Sequence, residues 1–135
     1  MSTPLIENRA ANNLSKQSEV ALKTFFRIAE LWNLSLSEQL TLLGLRETQK
    51  STLYKWKQDG SKSLSQDTLE RISYILGIYK SLQILFPSEE SADAWIKKPN
   101  KASIFGGGSA LERMLSGNIS DLYVVRAYLD AQRGG

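Results

Sequence analysis

The chain contains neither cysteine nor histidine in its 135 residues. That double absence removes disulfide frameworks, Cys/His zinc sites, thiol nucleophiles and every imidazole base, and most enzyme templates go with them. Carboxylate or lysine chemistry is what remains, yet the acidic residues are scattered along helical patterns with no convergent pair. The expectation is a protein that is not an enzyme and uses no cofactor or metal. No run approaches the roughly 18 apolar residues of a membrane span, and the opening MSTPLIENRA lacks a basic segment followed by an apolar core. A cytoplasmic location is therefore expected. Sustained apolar–polar alternation is missing too, so sheet content is expected to be small or nil. No internal repeat is visible.

What is present is ordinary in amount and uneven in placement. A hydrophobic fraction of 41% with 23% charged residues fits a soluble globular chain of one domain or two very small ones. The formal net charge is +3. Between Arg46 and Lys62, five basic residues stand against Glu47 and Asp59, so this segment carries the whole excess, and the remainder is balanced at twelve of each sign. Such local concentration suits contact with a polyanion.

Residues 1–17 mix Asn, Ser, Thr and a Pro without periodicity and read as a flexible arm, with Arg9 and Lys16 as candidates for reaching a nucleic-acid groove. From about Ser18 a helix is expected, with Val20, Leu22, Phe25, Phe26, Ala29 and Trp32 on its core side. Ser35 and Glu38 make a capping box for a second helix, which Gly44 ends. Lys50 to Gln58 reads as a third, whose Leu53 and Trp56 share one face. Helix, Gly-containing turn, helix is the spacing of a helix-turn-helix. Gln49, Lys50, Ser51, Thr52, Tyr54, Lys55 and Lys57 are then candidate DNA-binding residues. Hydroxyls and amides would exchange hydrogen bonds with base edges, and the lysines would neutralise phosphates.

Ser65 opens the longest pattern, in which Leu69, Ile72, Leu76, Tyr79, Leu82 and Phe86 recur at three- and four-residue spacing up to the stop at Pro87. This helix either packs partly on a second copy or joins two halves of one chain, and Gly77 within it marks a close contact or a weak place. Ser88 caps the next helix, which Pro99 ends. Lys97, Lys98 and Lys101 flank that proline, either solvated or facing phosphate. Gly106, Gly107 and Gly108 form a loop before Ser109, which caps a short helix with Glu112 completing a capping box. A Gly-rich turn before a helix can cradle phosphate, but no strand and no Walker lysine accompany this one, so no nucleotide site is assigned. Ser120 is expected to cap a last helix with Leu122, Val125, Tyr128 and Leu129 inward.

The order Trp95, Pro99-Asn100, Phe105-Gly106, Leu111-Glu112, Leu115, Ser116-Gly117 and Val125-Arg126-Ala127-Tyr128-Leu129-Asp130-Ala131 resembles the toxin-binding domain of the Xre/MbcA/ParS antitoxin family. The Leu-Leu-Gly and Ser-Thr-Leu-Tyr-Lys-Trp arrangement near residues 42–56 is similar, less specifically, to that family's DNA-binding half. Many members carry Pro where this chain has Ala110, a favourable but dispensable residue at a first helical position.

The expected fold is all-α: an arm over 1–17, a helix-turn-helix domain with the long connecting helix over 18–87, and a toxin-binding domain over 88–135. The resemblance implies an antitoxin that pairs with an NAD⁺-consuming RES-domain toxin, occludes its active site with the last helix and tail, and represses its own operon as a homodimer on operator DNA. Arg126, Asp130, Gln132, Arg133, Gly134 and Gly135 are then candidate toxin-binding residues. In that reading Asp130 and the Gly135 carboxylate compete with the NAD⁺ pyrophosphate, while the arginines meet acidic toxin groups. Two alternatives stay open: a stand-alone helix-turn-helix repressor with a C-terminal dimerisation or ligand-sensing domain, and a partner-binding protein with a vestigial helix-turn-helix.

Overall fold

The computed structural model describes the backbone of residues 4–134 and the side chains of residues 16–134. Among the described residues the chain is all-α, with seven helices: α1 (Pro4–Leu31), α2 (Leu36–Leu43), α3 (Lys50–Asp59), α4 (Gln66–Leu85), α5 (Glu89–Ala94), α6 (Ala110–Met114) and α7 (Ile119–Gln132). The β pairing among these residues is one isolated bridge, Pro99 to Ser109.

Local chemistry sets most boundaries. Ser35 Oγ accepts from the Glu38 amide at 3.1 Å while the Ser35 amide donates to Glu38 Oε1 at 2.8 Å, the reciprocal box expected at the start of α2. Ser65 and Ser88 cap α4 and α5 through the amides of Thr68 and Ser91. At α6 half of the expected box forms: Ser109 Oγ accepts from the Glu112 amide, whereas the Glu112 carboxylate lies over Gly108 instead of returning to the cap.

Three further expectations differ from the structure. The arm over 1–17 is helical from Pro4 onward, as part of the 28-residue α1; Met1 to Thr3 and the Arg9 side chain lie outside what is described. Asn and Ser have weak helix propensity, but Pro4 at the first helical position suits a helix start. Val20 is 63% exposed, not core, because two residues from buried Leu22 is more than half a turn around the helix. The last helix begins at Ile119 behind Asn118, which makes no side-chain cap; Ser120 caps nothing.

One continuous hydrophobic core runs through the molecule. Leu22, Phe25, Ile28 and Trp32 of α1, Leu40, Leu42 and Leu43 of α2, Leu53 of α3, Ile72, Ile75, Ile78 and Leu82 of α4, and Leu122, Val125 and Leu129 of α7 are all buried. The apolar stripe of α4 is thus used within the chain, so α4 serves both ends of the molecule; Ile84 stays exposed.

Polar side chains join the two ends as well. Arg71 Nε donates to Asp67 at 2.9 Å and its Nη2 to the Gly117 carbonyl at 3.0 Å, and Lys97 Nζ donates to the Asn33 carbonyl at 3.0 Å. Lys97 is therefore occupied, while Lys98 and Lys101 are exposed. Gly44 ends α2 at φ 78°, and a Cβ there would lie 2.8 Å from Arg71 Nε. Gly44→Ala adds left-handed strain to that crowding and is expected to lower stability by about 1–2 kcal/mol in urea titration. An unchanged midpoint would show that the turn relaxes freely.

Candidate functional site

The turn between α2 and α3 is held from both sides. Ser37 Oγ donates to the Glu47 carboxylate, and Thr68 Oγ1 of α4 donates to the Leu43 carbonyl at 3.2 Å. Leu53, fully buried, and Trp56, packed against the core, fix the inner side of α3. The outer side follows from helical geometry. Ser51, Tyr54, Lys55 and Gln58 stand at i, i+3, i+4 and i+7, opposite Leu53, and all four are exposed. Tyr54 is 56% exposed, a large aromatic turned outward on this face.

The remaining candidates of this segment fall differently. Gln49 Oε1 accepts from the Arg46 amide at 2.9 Å, and Lys50 Nζ lies 3.9 Å from Glu47, so both sit at the front of α3 and are partly used in shaping it. Thr52 is half-buried to one side. Lys57 turns back to α1, its ammonium 5.6 Å from the Phe26 ring centroid, and so lies off the outer face. Gln58 was not among the sequence candidates, although its i+7 spacing from Ser51 was the available signal.

The second cluster is built around α7. Trp95 stacks on Tyr128 at 6.4 Å and 13°, and Phe105 meets both rings edge-on at 5.9 and 5.3 Å. These contacts seat the loop before α6 against α7. The loop is closed by Asn100, whose amide donates to the Gly108 carbonyl and whose Oδ1 accepts from Ala102, and by Gly106 and Gly107 with φ of 57° and 88°. Arg113 then donates to Asp121 Oδ1 at 2.9 Å and to the Ile104 carbonyl.

Asp121 also accepts from Ser116 and Asn118. The Ser116 hydrogen bond first, then the Arg113 hydrogen bond, hold its carboxyl below the usual carboxylate range against a smaller desolvation penalty. With the folded pKa below the unfolded value, this contribution is complete above about pH 4 and is lost as pH falls through the lowered value. Asp121→Asn is therefore expected to cost stability at pH 7 and progressively less on acidification, read by denaturant titration across pH. A pH-independent deficit would exclude the charge as its source.

On α7 the candidate toxin residues divide. Arg126 lies across α4 at Gly77: its Nη1 donates to the Ser73 carbonyl at 3.4 Å, its Nε is 3.7 Å from Asp130, and a Cβ on Gly77 would fall 2.5 Å from that Nε. Gly77 is thus a close-contact point. Asp130 accepts from the buried Ser81 hydroxyl at 3.0 Å, and Arg133 Nη1 stands 3.9 Å from Asp130 and 3.4 Å from Ser81 Oγ. Arg126 and Asp130 are therefore turned onto α4 instead of projecting freely, because glycine and serine at 77 and 81 leave room for them. Gln132, Arg133 and Gly134 are exposed, and Gly135 lies outside the described residues. Among the described residues no carboxylate cluster could hold a metal ion, and no helix is long and apolar enough to cross a membrane.

Two surfaces result, one cationic and hydrogen-bonding on α3, one at the end of α7. Residues 81–135 match the family described as the antitoxin Xre/MbcA/ParS C-terminal toxin-binding domain, and residues 17–77 match the antitoxin Xre-like helix-turn-helix domain. The chain belongs to the Xre/MbcA/ParS antitoxin family. It is also 47% identical over 133 residues to "Uncharacterized protein y4oB" of Sinorhizobium fredii (strain NBRC 101917 / NGR234), a match covering 98% of this chain and 99% of that one. As an antitoxin of this family, the chain has a toxin for one partner and DNA for the other. Its family signature is largely structural: Trp95, Phe105 and Tyr128 form the aromatic cluster, Asn100 and Gly106 shape the loop, and Arg126 and Asp130 fasten α7 to α4.

Proposed function

We propose that this antitoxin neutralises a RES-domain toxin that consumes NAD⁺ by filling its active-site mouth with the end of α7 and the tail that follows it, and that it represses its own operon as a homodimer through α3. The observation that carries the reading is the hydrogen bond of buried Ser81 with Asp130, which fixes the last turn of α7 on α4 while Gln132 to Gly134 stand exposed at its end. A tail presented from a rigid base enters a partner with less ordering entropy than a free one. Arg126 and Asp130 serve as the base, and Gln132, Arg133, Gly134 and Gly135 as the inserted element. On DNA, Ser51, Tyr54 and Gln58 reach base edges and Lys55 a phosphate, with Gln49, Lys50 and Thr52 at the leading end of α3 and Lys57 at its margin. The division of labour falls between residues 18–87 and 88–135.

The test is co-expression with the product of the neighbouring reading frame. That product alone is expected to deplete cellular NAD⁺ and arrest growth, and the antitoxin to restore both. Arrest with NAD⁺ unchanged would contradict the RES assignment; arrest that the antitoxin does not relieve would contradict neutralisation.

A further inference from the structure

We infer that the toxin docks along the open groove between α4 and α7, with Tyr123 as its aromatic anchor, in addition to the tail. This rests on the reading that the end of α7 enters the toxin. The exposed large apolar side chains among the described residues are Val20, Tyr54, Ile84 and Tyr123, and two of these, Ile84 and Tyr123, lie within the toxin-binding match at 81–135.

The two helices run parallel, since Tyr74 meets Tyr123, Ser73 meets Arg126 and Ser81 meets Asp130. Between them lies an open groove of about 470 Å³ bordered by Tyr74, Tyr123, Arg126, Ala127, Asp130 and Ala131. Tyr123 is 57% exposed, its ring edge-on to Tyr74 at 5.9 Å. Ala127 and Ala131 follow it at i+4 and i+8, both exposed, so α7 carries an outward stripe of one large and two small apolar residues. Alanines keep the floor low and let a partner's backbone approach closely.

Arg126 and Asp130 neutralise one another at 3.7 Å on the groove's edge. The surface is thus apolar at its centre, polar at its margin and without net charge, which is the make-up of a protein–protein contact and unsuited to nucleic acid. The stripe ends at Ala131, next to the exposed Gln132–Gly134, and Asp130 on the groove's edge also meets Arg133 at 3.9 Å. Groove and tail therefore form one continuous surface, which favours the toxin over a second copy as its occupant.

The experiment measures binding of the full-length antitoxin to the purified product of the neighbouring reading frame by titration calorimetry, with operator affinity and light-scattering mass as controls. Tyr123→Ala is expected to weaken toxin binding about 30-fold, as for a buried aromatic anchor. Ala127→Glu, at a site whose exposure leaves folding intact, is expected to do the same by blocking close approach. Operator affinity and mass stay unchanged. Toxin affinity within twofold of wild type for both variants overturns the proposal, as does a change in antitoxin mass with toxin affinity intact, which would give the groove to a second copy. If the wild type itself fails to bind, the functional reading falls and this inference with it.

Discussion

Deleting Gln132–Gly135 is expected to release the toxin's activity while leaving the antitoxin folded. Gln132, Arg133 and Gly134 contribute nothing to the core, being exposed. Their side-chain contacts are those of Arg133 with Ser81 and Asp130, at 3.4 and 3.9 Å, and their amides otherwise only close the fraying last turn of α7, with Arg133 donating to the Leu129 carbonyl and Gly134 to the Ala131 carbonyl. A partly exposed pair of this kind contributes less than about 1 kcal/mol, so Tm is expected to stay within ~4 °C of the full-length chain. Inhibition depends on the tail entering the toxin, and the concentration needed for half inhibition is expected to rise on the order of a hundredfold, as when a central hot spot is lost. Equal inhibition by the truncated chain would move the blocking element elsewhere on α7.

The second large effect concerns DNA. Lys55→Ala with Lys57→Ala is expected to weaken operator binding about tenfold at low salt. The slope of log K against log salt should flatten by about one unit, not two, since each phosphate contact contributes roughly 0.9. The asymmetry comes from the structure: Lys55 lies on the exposed face with Ser51, Tyr54 and Gln58, whereas Lys57 sits 5.6 Å from the Phe26 ring on the α1 side. Lys57→Ala alone is expected to leave the slope nearly unchanged. A loss of two units in the double variant would show that Lys57 leaves Phe26 and meets a phosphate, and an unaltered slope would take the phosphates away from α3.

What could be read beforehand was whatever depends on neighbours in sequence. Ser35, Ser65, Ser88 and Ser109 cap helices because a hydroxyl needs only the amides two or three residues ahead. Gly44 ends α2 because the left-handed conformation is local. The helix-turn-helix and the inward faces of α3 and α4 followed from periodicity for the same reason. What could not be read were contacts joining distant segments. Ser81 with Asp130 and Ser73 with Arg126 span 49 and 53 residues, and periodicity says nothing about either. Asp130 and Arg126 therefore read as free charges on an outer face, when α4 already holds them. Arg113 was passed over for the same reason, since its partners Asp121 and Ile104 come together only when the loop folds onto α7. The family resemblance carried the functional class, but most of the residues that announced it are scaffold.

Occlusion is tested most directly by steady-state kinetics of NAD⁺ consumption by the toxin at several fixed concentrations of this antitoxin. A tail occupying the nucleotide site makes inhibition competitive: the apparent KM for NAD⁺ rises linearly with antitoxin while kcat stays constant. A falling kcat at unchanged KM would mean that the chain silences the toxin from outside its active site, and the plug would be wrong.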